Sequence, residues 1–276
     1  MTSLPARVGV YGGGRMGAGI AHAFSVQGTD VTVVESSDET AAAARDRVEQ
    51  SLAKARERGA TGPFGTVSVT TDPAGLTGLE LVVEAVPELV DLKREVLATI
   101  ERNAPGASIG TNTSSLPIDA LAEALERPAD LIGLHFFNPV PASDLVEIVV
   151  GARTAADLVT KAQGWVAGLG KTGITVADSP GFASSRLGVM LALEAMRMVE
   201  EGVASAEDID TAMVLGYRHP TGPLKTTDIV GLDVRLNIAE HLARELGPRF
   251  EPPQILRDKV ARGELGRKSG QGFYAW

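Results

Sequence analysis

Two titratable side chains stand in apolar company in the stretch LIGLHFFNPVPASDLVEIVV, which runs from Leu131 to Val150. His135 lies in its first apolar run and Glu147 in its second, and the pattern reads as two buried strands joined by a proline-rich loop. A lone ionisable group in such a run is costly unless paired, because desolvation penalises its charged form. Upstream, GTNTSSLP sets Asn112, Thr113, Ser114 and Ser115 in succession. Oxidising an alcohol by hydride transfer needs a base for the hydroxyl proton and a donor to hold the oxygen. Histidine fits the first role, and serine or asparagine the second.

A hydride acceptor has its own signature. VGVYGGGRMGAGIA contains G-x-G-x-x-G as Gly12, Gly14 and Gly17, following a strand pattern and opening a helix pattern. Glycines there let the turn form and let backbone N–H groups approach a pyrophosphate at the positive end of the helix. The next strand pattern, DVTVVES, carries Glu35, where a carboxylate would bond a ribose 2′-hydroxyl and repel a 2′-phosphate. Only Ser36 and Ser37 follow it directly, so the expected cofactor is NAD.

The elements that must position these residues alternate along the first two-thirds of the chain. Short β-branched runs such as ARVGVYG, LELVVEAV and DLIGLHFF alternate with amphipathic helices, among them IDALAEALERP. That order predicts an α/β, Rossmann-type, mainly parallel sheet. After GITVAD only helix patterns follow, including PGFASSRLGVMLALEAMRMVEEG, SAEDIDTAMVLG, LDVRLNIAEHLAREL and PPQILRDKVARG. A nucleotide-binding domain over 1–180 and an all-α C-terminal domain over 181–276 are therefore expected. In open α/β sheets ligands collect at the carboxyl ends of strands, which would bring the serine cluster and His135 to one crevice.

Composition bounds the rest. The chain has 276 residues, of which 44% are hydrophobic and 22% charged, with no cysteine. Disulfides, thiolate catalysis and cysteine-ligated metals are excluded, and no metal site is expected. A formal charge of −9 disfavours nucleic acid as a partner. No apolar run approaches the roughly 20 residues needed to cross a bilayer. The opening MTSLPARVGV has no secretory pattern, so a cytoplasmic location is expected.

The chain resembles the 3-hydroxyacyl-CoA dehydrogenase family along nearly its whole length. The motifs are GGGRMGAGIA, EAVPELVDLK, NTSSLPI, GLHFFNPVPASDLVEIV, DSPGFASSRL, DIDTAMVLGYRHPTGPL, DIVGLD and GRKSGQGFYAW. The resemblance implies oxidation of (S)-3-hydroxyacyl-CoA to 3-oxoacyl-CoA, or the reverse, by a homodimer joined through its C-terminal domains. It makes His135 the base, Glu147 its orienting acid and Ser114 the donor to the substrate oxygen. It puts Asn138 beside nicotinamide and substrate, and extends the cofactor contacts to Arg15, Met16, Ala85, Glu88 and Lys93. Two departures stand out. Ser185 occupies the position of an asparagine that helps hold the substrate carbonyl, and serine is shorter with one hydroxyl to donate. The stretch SLAKARERGATGPFGTVSVTTD is short where many members carry a helical hairpin that grips the CoA nucleotide, leaving Ser51 and Arg58 as contacts, with Lys54 nearby. These departures keep open a free hydroxy acid, a sugar acid or a carrier-protein thioester as substrate; a separate alternative is a non-catalytic NAD(H)-binding role on the same scaffold. His22, His219 and His241 read as structural, and Trp165 as core or sheet cover.

Overall fold

The computed structural model describes residues 4–276, which divide into two units: the first closes at Ser179 and the second runs Pro180–Trp276. The first unit is built from β1 (Arg7–Tyr11), α1 (Arg15–Ser25), β2 (Asp30–Val34), α2 (Asp38–Glu57), β3 (Val67–Thr70), β4 (Leu81–Glu84), α3 (Val90–Asn103), β5 (Ser108–Thr111), α4 (Ile118–Ala122), β6 (Leu131–Phe136), β7 (Leu145–Val150), α5 (Ala156–Gly168) and β8 (Thr172–Ala177). Its eight strands form one sheet in the order β3-β2-β1-β4-β5-β6-β7-β8. Strands β1 to β6 are parallel, β7 runs antiparallel to β6, and β8 is parallel to β7. The mainly parallel sheet read from the alternation is present. Strands β4 and β6 are buried throughout, as their largely apolar runs require. Its core joins Val8, Val10 and Val83 of the sheet to Ile20 and Phe24 of α1, and Trp165 of α5 belongs to it.

The second unit is all helical: α6 (Ser184–Glu200), α7 (Ala206–Thr211), α8 (Pro223–Val230), α9 (Leu232–Leu246) and α10 (Gln254–Ala261). Its own core gathers Val189, Leu193 and Met196 of α6 around Leu224, Leu232, Leu242 and Leu256.

Three local expectations need correction. The pattern IDALAEALERP predicts a helix of about three turns, but α4 stops at Ala122. Beyond it the backbone N–H groups of Glu126 and Arg127 donate to the Glu101 carboxylate of α3 at 2.9 and 2.7 Å, which takes the chain out of the helical path. SAEDIDTAMVLG, read as one helix, widens at Ala212–Gly216 into a π-helical turn. The patterns named above include no helix over Pro223–Val230, yet α8 forms there, opened by Gly222 and by Pro223 at the first helical position.

Candidate active site

The twelve-residue interval between His135 and Glu147 is an antiparallel register. β6 and β7 pair with His135 directly opposite Glu147, so both side chains rise from the same face of the sheet. The His135 Nδ1 lies 2.7 Å from Glu147 Oε2; the carboxylate is fully buried and the histidine residue 7% exposed. A hydrogen bond from Nδ1–H to the carboxylate fixes the tautomer and makes Nε2 the proton-accepting nitrogen. The Phe137 ring packs 4.6 Å from the imidazole, centroid to centroid. The neighbouring backbone is tied as well: Phe136 N donates to Asn112 Oδ1 at 2.9 Å. The loop between the strands is held by Lys171, whose ammonium donates to the carbonyls of Val140 and Ser143. Burial pushes the Lys171 pKa down, against the pull of Asp144.

The serine cluster is organised by one carboxylate. Oε1 of Glu88 accepts from Thr113 Oγ1 at 2.6 Å, from the backbone N–H of Ser114 and Ser115, and from both serine hydroxyls. Desolvation pushes the Glu88 pKa up, but the Lys93 ammonium and the donors from Thr113, Ser114 and Ser115 outweigh it and hold it below the usual value. Lys93 itself is fully buried. Its Nζ donates to both oxygens of Glu84 at 2.7 and 3.0 Å and stands 3.4 Å from Glu88. The expected contact of Lys93 with the cofactor therefore takes another form: the amine stands one layer behind the site and anchors Glu88 and the Val86 carbonyl. Glu84 is a functional support that the motif reading missed. An acid in the apolar run LVVE carries the same signal that singled out Glu147.

Met16, Ala85, Glu88, Ser114, His135 and Asn138 line one cavity of about 310 Å³. The sheet thus gathers the serine from the end of β5 and the base and asparagine from the end of β6, as ligand sites of this architecture do.

Next to it, a cavity of about 750 Å³ opens on the glycine loop. Gly12 has φ +95°, which favours glycine, and a Cβ on Gly17 would stand 1.7 Å from the Gly12 carbonyl oxygen. A Cβ on Gly14 would meet nothing within 4 Å, so the space before the N-terminus of α1 is open. That helix has no side-chain cap, and its first N–H groups face the space where an anion is favoured. Glu35, just past β2, accepts from Gly13 N at 2.5 Å and lines the same cavity with Gly12, Gly14, Arg15, Met16 and Ala85. These residues fit a dinucleotide. Glu35→Ala is expected to raise kcat/KM with NADP relative to NAD by about 10-fold or more, because a charge that repels a 2′-phosphate is gone. Steady-state kinetics with both cofactors would measure the ratio, and an unchanged ratio would reject the ribose contact.

A third hollow, of about 300 Å³, is lined by Ser51 together with Arg15, Arg47, Lys54 and Asn138. Ser51 is not simply exposed to it, because its Oγ lies 3.0 Å from Nδ1 of the buried His22. Arg58 does not join Ser51 there: it is exposed at the C-terminal cap of α2. The chain then runs directly into β3 with no helical hairpin. Ser185 belongs to the second unit, in the first turn of α6.

A glycine-rich nucleotide loop on a mainly parallel sheet, with a histidine–carboxylate pair beside it and a separate helical unit, defines an NAD-dependent oxidoreductase. Residues 7–179 match the 3-hydroxyacyl-CoA dehydrogenase NAD-binding domain, and residues 181–276 match the C-terminal domain of that family. The chain belongs to the 3-hydroxyacyl-CoA dehydrogenase family. It is 40% identical over 286 residues to a 3-hydroxybutyryl-CoA dehydrogenase of Mycobacterium tuberculosis, covering all of both chains. It is 38% identical to the mitochondrial hydroxyacyl-coenzyme A dehydrogenase of Sus scrofa, covering 99% of this chain and 92% of that protein. The solved (S)-3-hydroxybutyryl-CoA dehydrogenase of Ralstonia eutropha is similar with a TM-score of 0.93 at 36% identity, covering 99% of each chain.

Proposed function

We propose that this protein interconverts (S)-3-hydroxyacyl-CoA and 3-oxoacyl-CoA, with short acyl chains such as 3-hydroxybutyryl-CoA among its substrates. The observation that carries the reading is the His135–Glu147 pair at 2.7 Å, whose histidine lines one cavity with Ser114 beside a glycine-built nucleotide loop.

In the oxidative direction, His135 Nε2 takes the hydroxyl proton while the C3–H bond breaks and the C3–O double bond forms. The hydride leaving C3 passes to the nicotinamide of bound NAD, which is the chemistry that the cofactor supplies. Glu147 stabilises the imidazolium and holds its orientation. Ser114 and Asn138 hold the substrate oxygen and the reacting groups in place. Glu88 directs Ser114, and Ser51 is a contact for the CoA moiety. Ser185 holds the thioester carbonyl with its single hydroxyl.

The protein is further proposed to act in the cytoplasm as a homodimer joined through its helical unit. No described helix is long and apolar enough to cross a membrane. Leu187 and Leu191 of α6, 65% and 43% exposed, supply apolar surface for a self-association.

The test is an NADH-coupled assay with 3-hydroxybutyryl-CoA, its pantetheine and carrier-protein thioesters, free 3-hydroxybutyrate and a sugar acid such as gulonate. Turnover is expected with the CoA thioester, at a kcat/KM at least about 100-fold above that for the free acid, because the remote CoA part contributes binding energy to the transition state. Faster turnover of a free acid would replace this reading, and NADH binding without any turnover would return the protein to a non-catalytic role.

A further inference from the structure

The nucleotide cavity and the hollow that holds Ser51 share a wall made of two arginines. Arg15, the first residue of α1, and Arg47 of α2 line both. Among the described residues neither guanidinium pairs with a carboxylate, and Arg47 Nη1 reaches only the Gly13 carbonyl of the glycine loop, at 3.4 Å. On α2, Arg47, Ser51 and Lys54 follow one another at spacings of four and three, so they lie on one face of the helix. With Arg15 they give the hollow of about 300 Å³ three cations and, among the described residues, no acid. The cavity of about 750 Å³ has Glu35 and Glu95 in its lining, and Arg15 and Arg47 are its only cations among those residues. The chain as a whole carries a formal charge of −9, so this gathering of positive charge runs against the bulk.

Each side of the wall is therefore a place for phosphate. NAD brings a pyrophosphate to the N-terminus of α1, beside Arg15. CoA brings phosphates of its own to the Ser51 side. A guanidinium has one positive charge and five N–H donors in a fixed plane. A phosphate bonded from one side offsets that charge and occupies part of the fork. A second phosphate then meets a weakened cation and a like charge close behind it. Anions separated by one side chain lie within a Debye length, about 8 Å at physiological ionic strength, so salt reduces their repulsion without removing it.

We propose that Arg15 and Arg47 couple the two nucleotide sites negatively, so that bound CoA weakens the binding of NAD(H) and bound NAD(H) weakens that of CoA. Linkage makes the two effects equal in size. The proposal rests on the dehydrogenase reading above for the identity of the two ligands. Substrate and product thioesters carry the same CoA phosphates, and NAD and NADH the same pyrophosphate. The coupling therefore acts whichever way the reaction runs.

The experiment is a fluorescence titration of the full chain with NADH at a series of fixed CoA concentrations. The Kd for NADH is expected to rise by about 5- to 20-fold and then level off, within the range of ordinary coupling between sites. Titration with CoA at fixed NADH should return the same factor. Raising the salt from about 0.1 to about 1 M, which shortens the Debye length from roughly 10 to 3 Å, should at least halve it. Arg15→Met and Arg47→Met should each lower the factor, and the double variant should bring it near one. Arg47→Lys should keep most of it, since the charge stays. Both arginines are exposed, so the variants are expected to fold.

A Kd for NADH that ignores CoA, or that falls, overturns the proposal. So does a Kd that climbs with CoA without a plateau, because CoA then occupies the nucleotide cavity itself. Butyryl-pantetheine, which has no phosphate, should leave the Kd unchanged; an equal effect from it would move the coupling to the acyl end and overturn the role of the arginines. A factor unaltered in the double variant does the same. None of these titrations involves turnover. A protein that oxidises no thioester loses the dehydrogenase reading, while the factor between CoA and NADH still decides the coupling.

Discussion

His135→Gln is expected to lower kcat by about 10²- to 10⁴-fold, the range associated with a positioned general base. Glutamine retains a polar group opposite Glu147 but cannot accept the hydroxyl proton and hold it as a cation. The nucleotide cavity is built by the glycine loop and Glu35, so NADH affinity should change by less than about threefold, since removing an interaction made only in the transition state leaves ground-state binding in place. Stopped-flow or steady-state rates with 3-hydroxybutyryl-CoA, set beside fluorescence titration with NADH, separate the two quantities. Equal loss of turnover and NADH binding, or no loss of either, would remove His135 from the role of base.

Glu84→Gln is expected to carry the largest cost in stability. Glu84 and Lys93 are both fully buried, and Glu84 also accepts from Thr111 Oγ1 at 2.7 Å and from Val86 N at 2.7 Å. Removing the negative charge leaves the buried ammonium with the Glu88 carboxylate at 3.4 Å as its remaining counter-charge, so the cost is expected to approach the roughly 3–5 kcal/mol of a broken buried pair. Chemical denaturation would show it as a fall in the midpoint. Pairing Glu84→Gln with Lys93→Met should recover most of that loss, because an interior without either charge pays no desolvation. If the single variant unfolds at the wild-type midpoint, the pair is not the anchor described here. Activity should fall with stability, because Lys93 also steadies Glu88, on which the serine cluster hangs.

Much of this molecule is legible along the chain because its causes are local. A glycine loop between a strand and a helix works through backbone sterics within a few residues, and the structure sets Gly12, Gly14 and Gly17 where that reading requires. Alternating β-branched runs and amphipathic helices specify a mainly parallel sheet because each pattern must bury its own apolar face. His135 and Glu147 were conspicuous for a reason that one segment contains: charge in an apolar run.

What those polar groups do to each other is a property of the fold. Their contact depends on β7 turning antiparallel to β6, a register fixed by the whole sheet edge. Glu88 reaches Thr113, Ser114 and Ser115 across twenty-five or more residues, since β4 and β5 are neighbours in the sheet. Resemblance marks Lys93 as a cofactor contact, and only the packing of α3 shows it fully buried on Glu84. Arg58 reads as a partner of Ser51, and only the course of the chain past α2 parts them. Sequence by itself determined the architecture, the nucleotide loop and the chemical types at the site, because backbone conformation and burial are encoded locally. Tertiary structure decided which charges meet, because pairing energies depend on distance and desolvation, and both arise when distant segments pack.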